Sequence, residues 1–287
     1  MTTVLWPMLF ALLLWWFSTG LIIYLDGLPT RTFRWSMLGG TVLLIAALFG
    51  LAHAAGDASV TGAYLAFACS LVIWGWLEMS FYMGYVTGPR RHRCKPGCKG
   101  IRHFGHALQV SLYHELAIVL LGAVVLVLSW NAPNKVGLWT FLVLAWMHES
   151  ARLNVFLGVR NLNAEFIPPH MDHLRSFLRK RPMNALFPIS VTVSTVVLVL
   201  LVQQAMSVAG DPFAVAGFTF VATIMALAIL EHWFLVLPLP FARLWDWSLK
   251  SRSVPGHRQE MAAQPETRAP LMVGIQTVRQ ALSSRVL

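Results

Sequence analysis

Phe213-Ala-Val-Ala-Gly-Phe-Thr-Phe-Val-Ala-Thr-Ile-Met-Ala-Leu-Ala-Ile-Leu-Glu231-His-Trp-Phe-Leu-Val-Leu237 is apolar from end to end except at Glu231 and His232. A helix needs about 20 mainly apolar residues to cross the hydrocarbon of a bilayer, and this stretch exceeds that. Working outward, residues 4–24, 36–54, 60–86, 106–130, 137–159 and 185–207 meet the same requirement. The reading is an all-α polytopic membrane protein with seven transmembrane helices. Composition agrees: the 287 residues are 57% hydrophobic and 12% charged, where a soluble domain carries about 25% charged residues. The first span has no Lys or Arg ahead of it, the first being Arg31. It therefore lacks the basic leader of a signal peptide and is read as a retained helix.

Charge sets the expected orientation. Of the 22 Lys and Arg, all but Lys135 fall after the first, third and seventh spans or in the end of the fifth and the loop that follows it. With seven spans these regions lie on one side, and the positive-inside rule makes that side cytoplasmic. The N-terminus is then outside and the C-terminus cytoplasmic. The net charge of +10 thus reports topology and attraction to anionic membrane lipids. No nucleic-acid-binding module accompanies the basic runs, so no nucleic-acid partner is expected. Residues 1–238 form the expected membrane domain. Residues 239–250, with Arg243, Trp245 and Trp247, suit an amphipathic helix in the interface. Residues 251–287 are expected to be a basic, largely disordered cytoplasmic tail, with a weak amphipathic helix over 273–282 at most.

Four of the twelve acidic residues lie inside apolar spans: Glu78, Glu115, Glu149 and Glu231. Three stand beside a histidine, namely His114, His148 and His232. A charged carboxylate at the bilayer centre costs roughly 2.5–3.5 kcal/mol even on translocon scales, so each needs a partner, a proton or a metal. Counted at 1.5 Å per residue from the cytoplasmic helix ends, Glu78, His114 and Glu231 lie about 10–13 Å deep and His148 about 18 Å. They share one layer in the cytoplasmic half of the membrane.

Three readings of that layer stand beside that of a proton or quinone path. Glu78, His114, Glu115, His148, Glu149, Glu231 and His232 include the usual ligands of iron and zinc. Neighbouring residues point about 100° apart on a helix, so a His-Glu pair suits two metals, as in a di-iron-like membrane oxidoreductase, or one ligand and one group behind it, better than one shared ion. The Glu-x-x-His spacing of soluble di-iron bundles is absent. In the second reading the groups are structural: Glu149 pairs with Arg152, Glu78 with Tyr82, or the carboxylates are protonated. In the third, His114 or His232 gives a tetrapyrrole such as bacteriochlorophyll its one axial imidazole.

Nearer the cytoplasmic face, His103 and His106 are spaced i, i+3, as are His170 and His173. Cys94-Lys-Pro-Gly-Cys98 supplies only half a zinc site, and His92 or His103 would have to complete it. Ordinary reduced thiols are the simpler reading. No phosphate loop, nucleophile elbow or triad spacing occurs, and an enzyme is not the leading expectation.

Several strings together carry a family resemblance: Asp26-Gly-Leu-Pro with Thr32-Phe-Arg-Trp-Ser36; Thr87-Gly-Pro-Arg-Arg91; His114-Glu-Leu-Ala117; Asn131-Ala-Pro-Asn-Lys-Val-Gly-Leu-Trp-Thr-Phe141; Leu153-Asn-Val-Phe-Leu-Gly-Val-Arg-Asn-Leu-Asn163; Glu165-Phe-Ile-Pro-Pro-His170; Arg181-Pro-Met-Asn184; and Glu231-His-Trp-Phe-Leu-Val-Leu-Pro238. The chain resembles, over residues 20–250, the photosynthetic complex assembly protein 2 family, also called PuhE. The resemblance implies a multi-pass protein of the inner membrane of purple phototrophic bacteria, with its gene near that of a reaction-centre subunit. It implies a factor that assembles the reaction centre and light-harvesting core antenna, or regulates bacteriochlorophyll supply to them, with their subunits as partners. It carries over no catalytic residue. The pair His148-Glu149 departs from the family's fifth span, which places the weight on Glu78, His114, Glu115, Glu231 and His232.

Overall fold

Seven long helices follow one another in the computed structural model, which describes residues 2–95, 97–162 and 166–253. They are α1 (Thr2–Asp26), α2 (Phe33–Ala55), α3 (Val60–Tyr82), α4 (Gly100–Ser129), α5 (Val136–Leu157), α6 (Leu186–Ser207) and α7 (Pro212–Phe234). A four-residue α8 (Asp246–Leu249) follows. No β-strand occurs among the described residues; Val159 and Lys180 form an isolated bridge. Six helices, α1 to α4, α6 and α7, are long and apolar enough to cross a membrane. The exception, α5, has 22 residues and is long enough. It carries His148, Glu149, Arg152 and Asn154, which lower its apolar character.

Local chemistry sets the helix ends. Ser59 accepts from the Gly62 N–H to start α3. Asp211 accepts from the N–H groups of Phe213 and Ala214 ahead of α7, with Pro212 in the first turn, where its missing N–H costs nothing. α3 stops at Tyr82, four residues short of the expected 86, because the chain turns at Gly84 with φ +82°, a conformation that favours glycine. α4 starts at Gly100 rather than 106, so His103 and His106 stand on its first turns.

Two buried asparagines tie loops to helices. Asn134 donates to the carbonyls of Ala54 and Asp57 and accepts from the Val136 N–H. Asn184 donates to the carbonyls of Asn154 and Gly158 and accepts from the N–H groups of Leu186 and Phe187.

α3 and α7 are the inner helices. α3 packs on α1, α2 and α5, and α7 on α1, α5 and α6. Their centre is aromatic: Phe67 of α3 stacks on Phe220 of α7 at 4.4 Å, and Tyr64 meets Phe220 edge-on at 4.8 Å. Outward faces are as apolar as the core. Phe49, Val127 and Met206 are each more than 70% exposed, an arrangement that suits lipid rather than water as the surrounding solvent.

Residues 1–252 form one compact unit. Where a helix over 239–250 is expected, the chain instead makes a 3-10 turn (Phe241–Trp245), α8, and a second 3-10 turn (Lys250–Ser253). This segment packs on α1. Trp245 is buried and its Nε1 donates to the Trp16 carbonyl. A Cβ on Gly20 would come 2.3 Å from the Trp247 ring. The weak helix expected over 273–282, and nearly all of the expected tail, lie outside the described residues.

Candidate functional site

Glu78 sits on the last turns of α3, His114 in the middle of α4, and His148 toward the end of α5. Packing of the three helices brings these side chains to one point. His148 Nδ1 lies 3.1 Å from Glu78 Oε1, and the His114 and His148 rings are 5.5 Å apart. One ligand-type atom from each residue lies within 4.8 Å of those of the other two. Aromatic rings hold the imidazoles: Phe81 lies 4.7 Å from His114 and Trp74 5.4 Å from His148.

Four atoms of this group are buried without a protein hydrogen-bond partner: Glu78 Oε1, both nitrogens of His114, and His148 Nε2. At 3.1 Å, His148 Nδ1 and Glu78 Oε1 form an ion-pair contact. A buried polar group left unbonded costs about 1–3 kcal/mol. Here several stand close together, and a group that bonds to them would relieve that cost. Two imidazoles and one carboxylate are the donor set of mononuclear non-haem iron sites.

The group opens on a cavity of about 510 Å³. Its walls come mainly from apolar side chains such as Ile22, Leu71, Val110, Leu144 and Phe234, and Glu78, His114, His148, Arg152 and Glu231 supply polar ones. A large apolar pocket with a few converging polar groups is what an organic ligand needs.

The remaining candidates go elsewhere. Glu115 and Glu149 both turn to Arg152, whose Nη1 donates to Glu115 Oε1 and, at 3.3 Å, to Glu149 Oε1. Its Nη2 donates to Ser111 Oγ. A guanidinium thus stands where a second metal of a di-iron centre would need those carboxylates. Glu231 lines the cavity but accepts a hydrogen bond from Trp15 Nε1 at 3.2 Å. His232 has both nitrogens engaged: Nδ1 lies 2.8 Å from the Ala228 carbonyl and Nε2 3.0 Å from Ser150 Oγ. It leaves no nitrogen for a ligand.

Sequence reading paired Arg152 with Glu149 alone. The contact with Glu115 crosses between helices, and no spacing along the chain announces it. The same holds for Trp15 and Glu231. The lower weight given to His148 is reversed, since its ring completes the cluster.

One loop sets the height of His114. Thr87 and Gly88 are buried against α4: the His114 N–H donates to the Thr87 carbonyl and the Arg90 N–H to the Gln109 carbonyl. A Cβ on Gly88 would lie 2.1 Å from the Gln109 carbonyl oxygen. The string Thr87-Gly-Pro-Arg therefore owes its glycine to a backbone-to-backbone approach that any side chain would block.

The family described as "Protein of unknown function (DUF3623)" matches residues 1–255. The chain is 38% identical over 259 residues to an "uncharacterized 30.4 kDa protein in puhA 5'region" of Rhodobacter capsulatus, covering 89% of this chain and 93% of that protein. No solved structure matches.

Proposed function

We propose, for a chain that belongs to the DUF3623 family, a role as a bacterial inner-membrane factor in assembly of the photosynthetic reaction centre and its core antenna, or in bacteriochlorophyll supply to them. The position of its relative in the puhA 5' region supports a place among photosynthesis genes. The observation that carries the chemical part is His114. It is 1% exposed, neither nitrogen has a protein partner, and it stands at the wall of a largely apolar cavity. That is the setting of an axial imidazole for a tetrapyrrole. Bound magnesium would supply the Lewis acidity that takes the imidazole. The chain's own residues orient and enclose: the Phe81 ring and the Thr87 carbonyl fix His114. Leu71, Val110 and Leu144 exclude water from the cavity they line.

In this reading the bundle spans seven times, with the N-terminus outside and the basic loops in the cytoplasm. At about 1.5 Å per residue, the 22 residues of α5 cover the hydrocarbon. Arg152 and Asn154 find partners inside the bundle: Arg152 in Glu115 and Ser111, and the fully buried Asn154 in Ser190 Oγ, to which its Nδ2 donates.

A second reading rests on a different observation. The ligand atoms of Glu78, His114 and His148 lie within 4.8 Å of one another, which favours a single iron ion and a membrane oxidoreductase. The two readings separate by experiment. Protein from phototrophically grown cells is purified in mild detergent and examined by absorption and elemental analysis. The pigment reading expects a tetrapyrrole band with magnesium near one per chain, lost in His114→Ala and kept in His148→Ala. Iron without pigment, lost equally in Glu78→Gln, His114→Ala and His148→Ala, replaces it with the second. Absence of reaction-centre and antenna subunits from the purified material counts against the assembly role.

A further inference from the structure

We propose that Cys94, Cys98 and His106 bind one zinc ion at the cytoplasmic end of α4, outside the membrane cavity. The sequence alone left the two cysteines short of ligands. Folding supplies the third. His106 Nδ1 lies 3.4 Å from Cys94 Sγ and 3.4 Å from Cys98 Sγ, and the three atoms form a group whose members are all within 4.8 Å of one another. With Zn–S near 2.3 Å and Zn–N near 2.0–2.1 Å, neighbouring ligands of a tetrahedral zinc stand about 3.5 Å apart. The observed separations match that edge.

One imidazole nitrogen has either one lone pair or one N–H to offer. It satisfies one thiol, and here two approach it equally. A cation at the centre of the triangle satisfies all three at once. Two sulfurs with imidazole are the donors that select zinc among common divalent metals.

The backbone is shaped for the purpose. Gly97 has φ +83° and the Cys98 N–H donates to the Lys95 carbonyl, a turn that brings the second sulfur back beside the first. The Cys94 N–H donates to Ser176 Oγ at 3.0 Å. His103, one turn before His106, places Nδ1 3.4 Å from Cys94 Sγ and is clamped between Phe156 and Phe177, each ring 5.5 Å away. As an N–H donor to a zinc-bound sulfur it orients that ligand from the outer layer. The fourth position on the metal is left to water. The ion would pin the loop that leaves α3 to the first turns of α4, and the same loop carries Thr87 to His114.

The test is zinc content of the full chain purified in mild detergent, with X-ray absorption at the zinc edge. The expectation is one zinc per chain with two sulfur neighbours. Content falls at least tenfold in Cys94→Ser, Cys98→Ser and His106→Ala, and is unchanged in His53→Ala, at an exposed histidine of α2. Cobalt taken up in place of zinc shows thiolate-to-metal absorption in the near ultraviolet. Wild-type protein without zinc, or zinc without sulfur neighbours, overturns the proposal even if the variants fail to fold. So does full zinc content in Cys98→Ser.

Discussion

His148 Nδ1 and Glu78 Oε1 approach to 3.1 Å from two different helices, α5 and α3. That contact places the one carboxylate of the cavity cluster beside an imidazole while both nitrogens of His114 stay free of protein partners. Neighbouring acids already have partners, Glu115 and Glu149 in the Arg152 guanidinium and Glu231 in the Trp15 N–H. The cluster thus gathers four buried atoms without hydrogen-bond partners from three helices at one point.

His232 and His114 are equally buried, at 1% exposure each, and differ only in their bonding. His232→Ala removes two hydrogen bonds and lowers stability by about 1–3 kcal/mol without changing bound metal or pigment. On the proposed reading of the cavity, His114→Ala abolishes the bound group and costs little stability. Thermal unfolding in detergent together with elemental analysis separates the two; equal loss of ligand in both variants would contradict the assignment.

Arg152 joins α5 to α4 through Glu115 and Ser111. Removing one partner from a buried ion pair costs about 3–5 kcal/mol. The Arg152 side chain is 32% exposed, so the loss expected for Arg152→Leu is about 2 kcal/mol. Adding Glu115→Gln and Glu149→Gln removes the stranded charges and recovers most of it. A triple variant no more stable than the single one would show that the guanidinium acts through packing alone.

Gly88→Ala places a Cβ against the Gln109 and Val110 carbonyls at 2.1 and 2.7 Å. Backbone cannot yield as a flexible side chain can, so the loop must shift. A stability loss of about 1–3 kcal/mol, as for overpacking, is expected together with weakened binding at His114. Gly105→Ala, with nothing within 4 Å, serves as the silent control.

Asn134 and Asn184 clamp different loops and share no hydrogen-bond partner. Each alanine variant strands buried backbone groups and costs about 2 kcal/mol. The double variant loses the sum to within about 0.5 kcal/mol. Strong non-additivity in urea unfolding would mean that the two loops open together.

Much of the bundle was legible in the chain. The apolar stretches located all seven long helices, because a span must exclude charge over about 20 residues whatever it packs against. Asn131–Phe141 and Arg181–Asn184 stood out as strings, and their asparagines proved to be the loop clamps. The acidic residues that required partners were equally visible, since Glu78, Glu115, Glu149 and Glu231 interrupt apolar runs.

Which of them met was decided by tertiary structure. A helix that is apolar on every side carries no periodic signal of which face turns inward, and α3 and α7 are of that kind. Sequence could place Glu78, His114, His148 and Glu231 at one depth, but rotation about each helix axis sent Glu115 and Glu149 to Arg152 and His232 to Ser150. Cys94 and Cys98 follow the same rule. Their spacing showed a pair, and only the loop folded back on α4 supplied His106. Depth follows from composition along one axis; convergence depends on how helices turn and pack, and that is a property of the whole bundle.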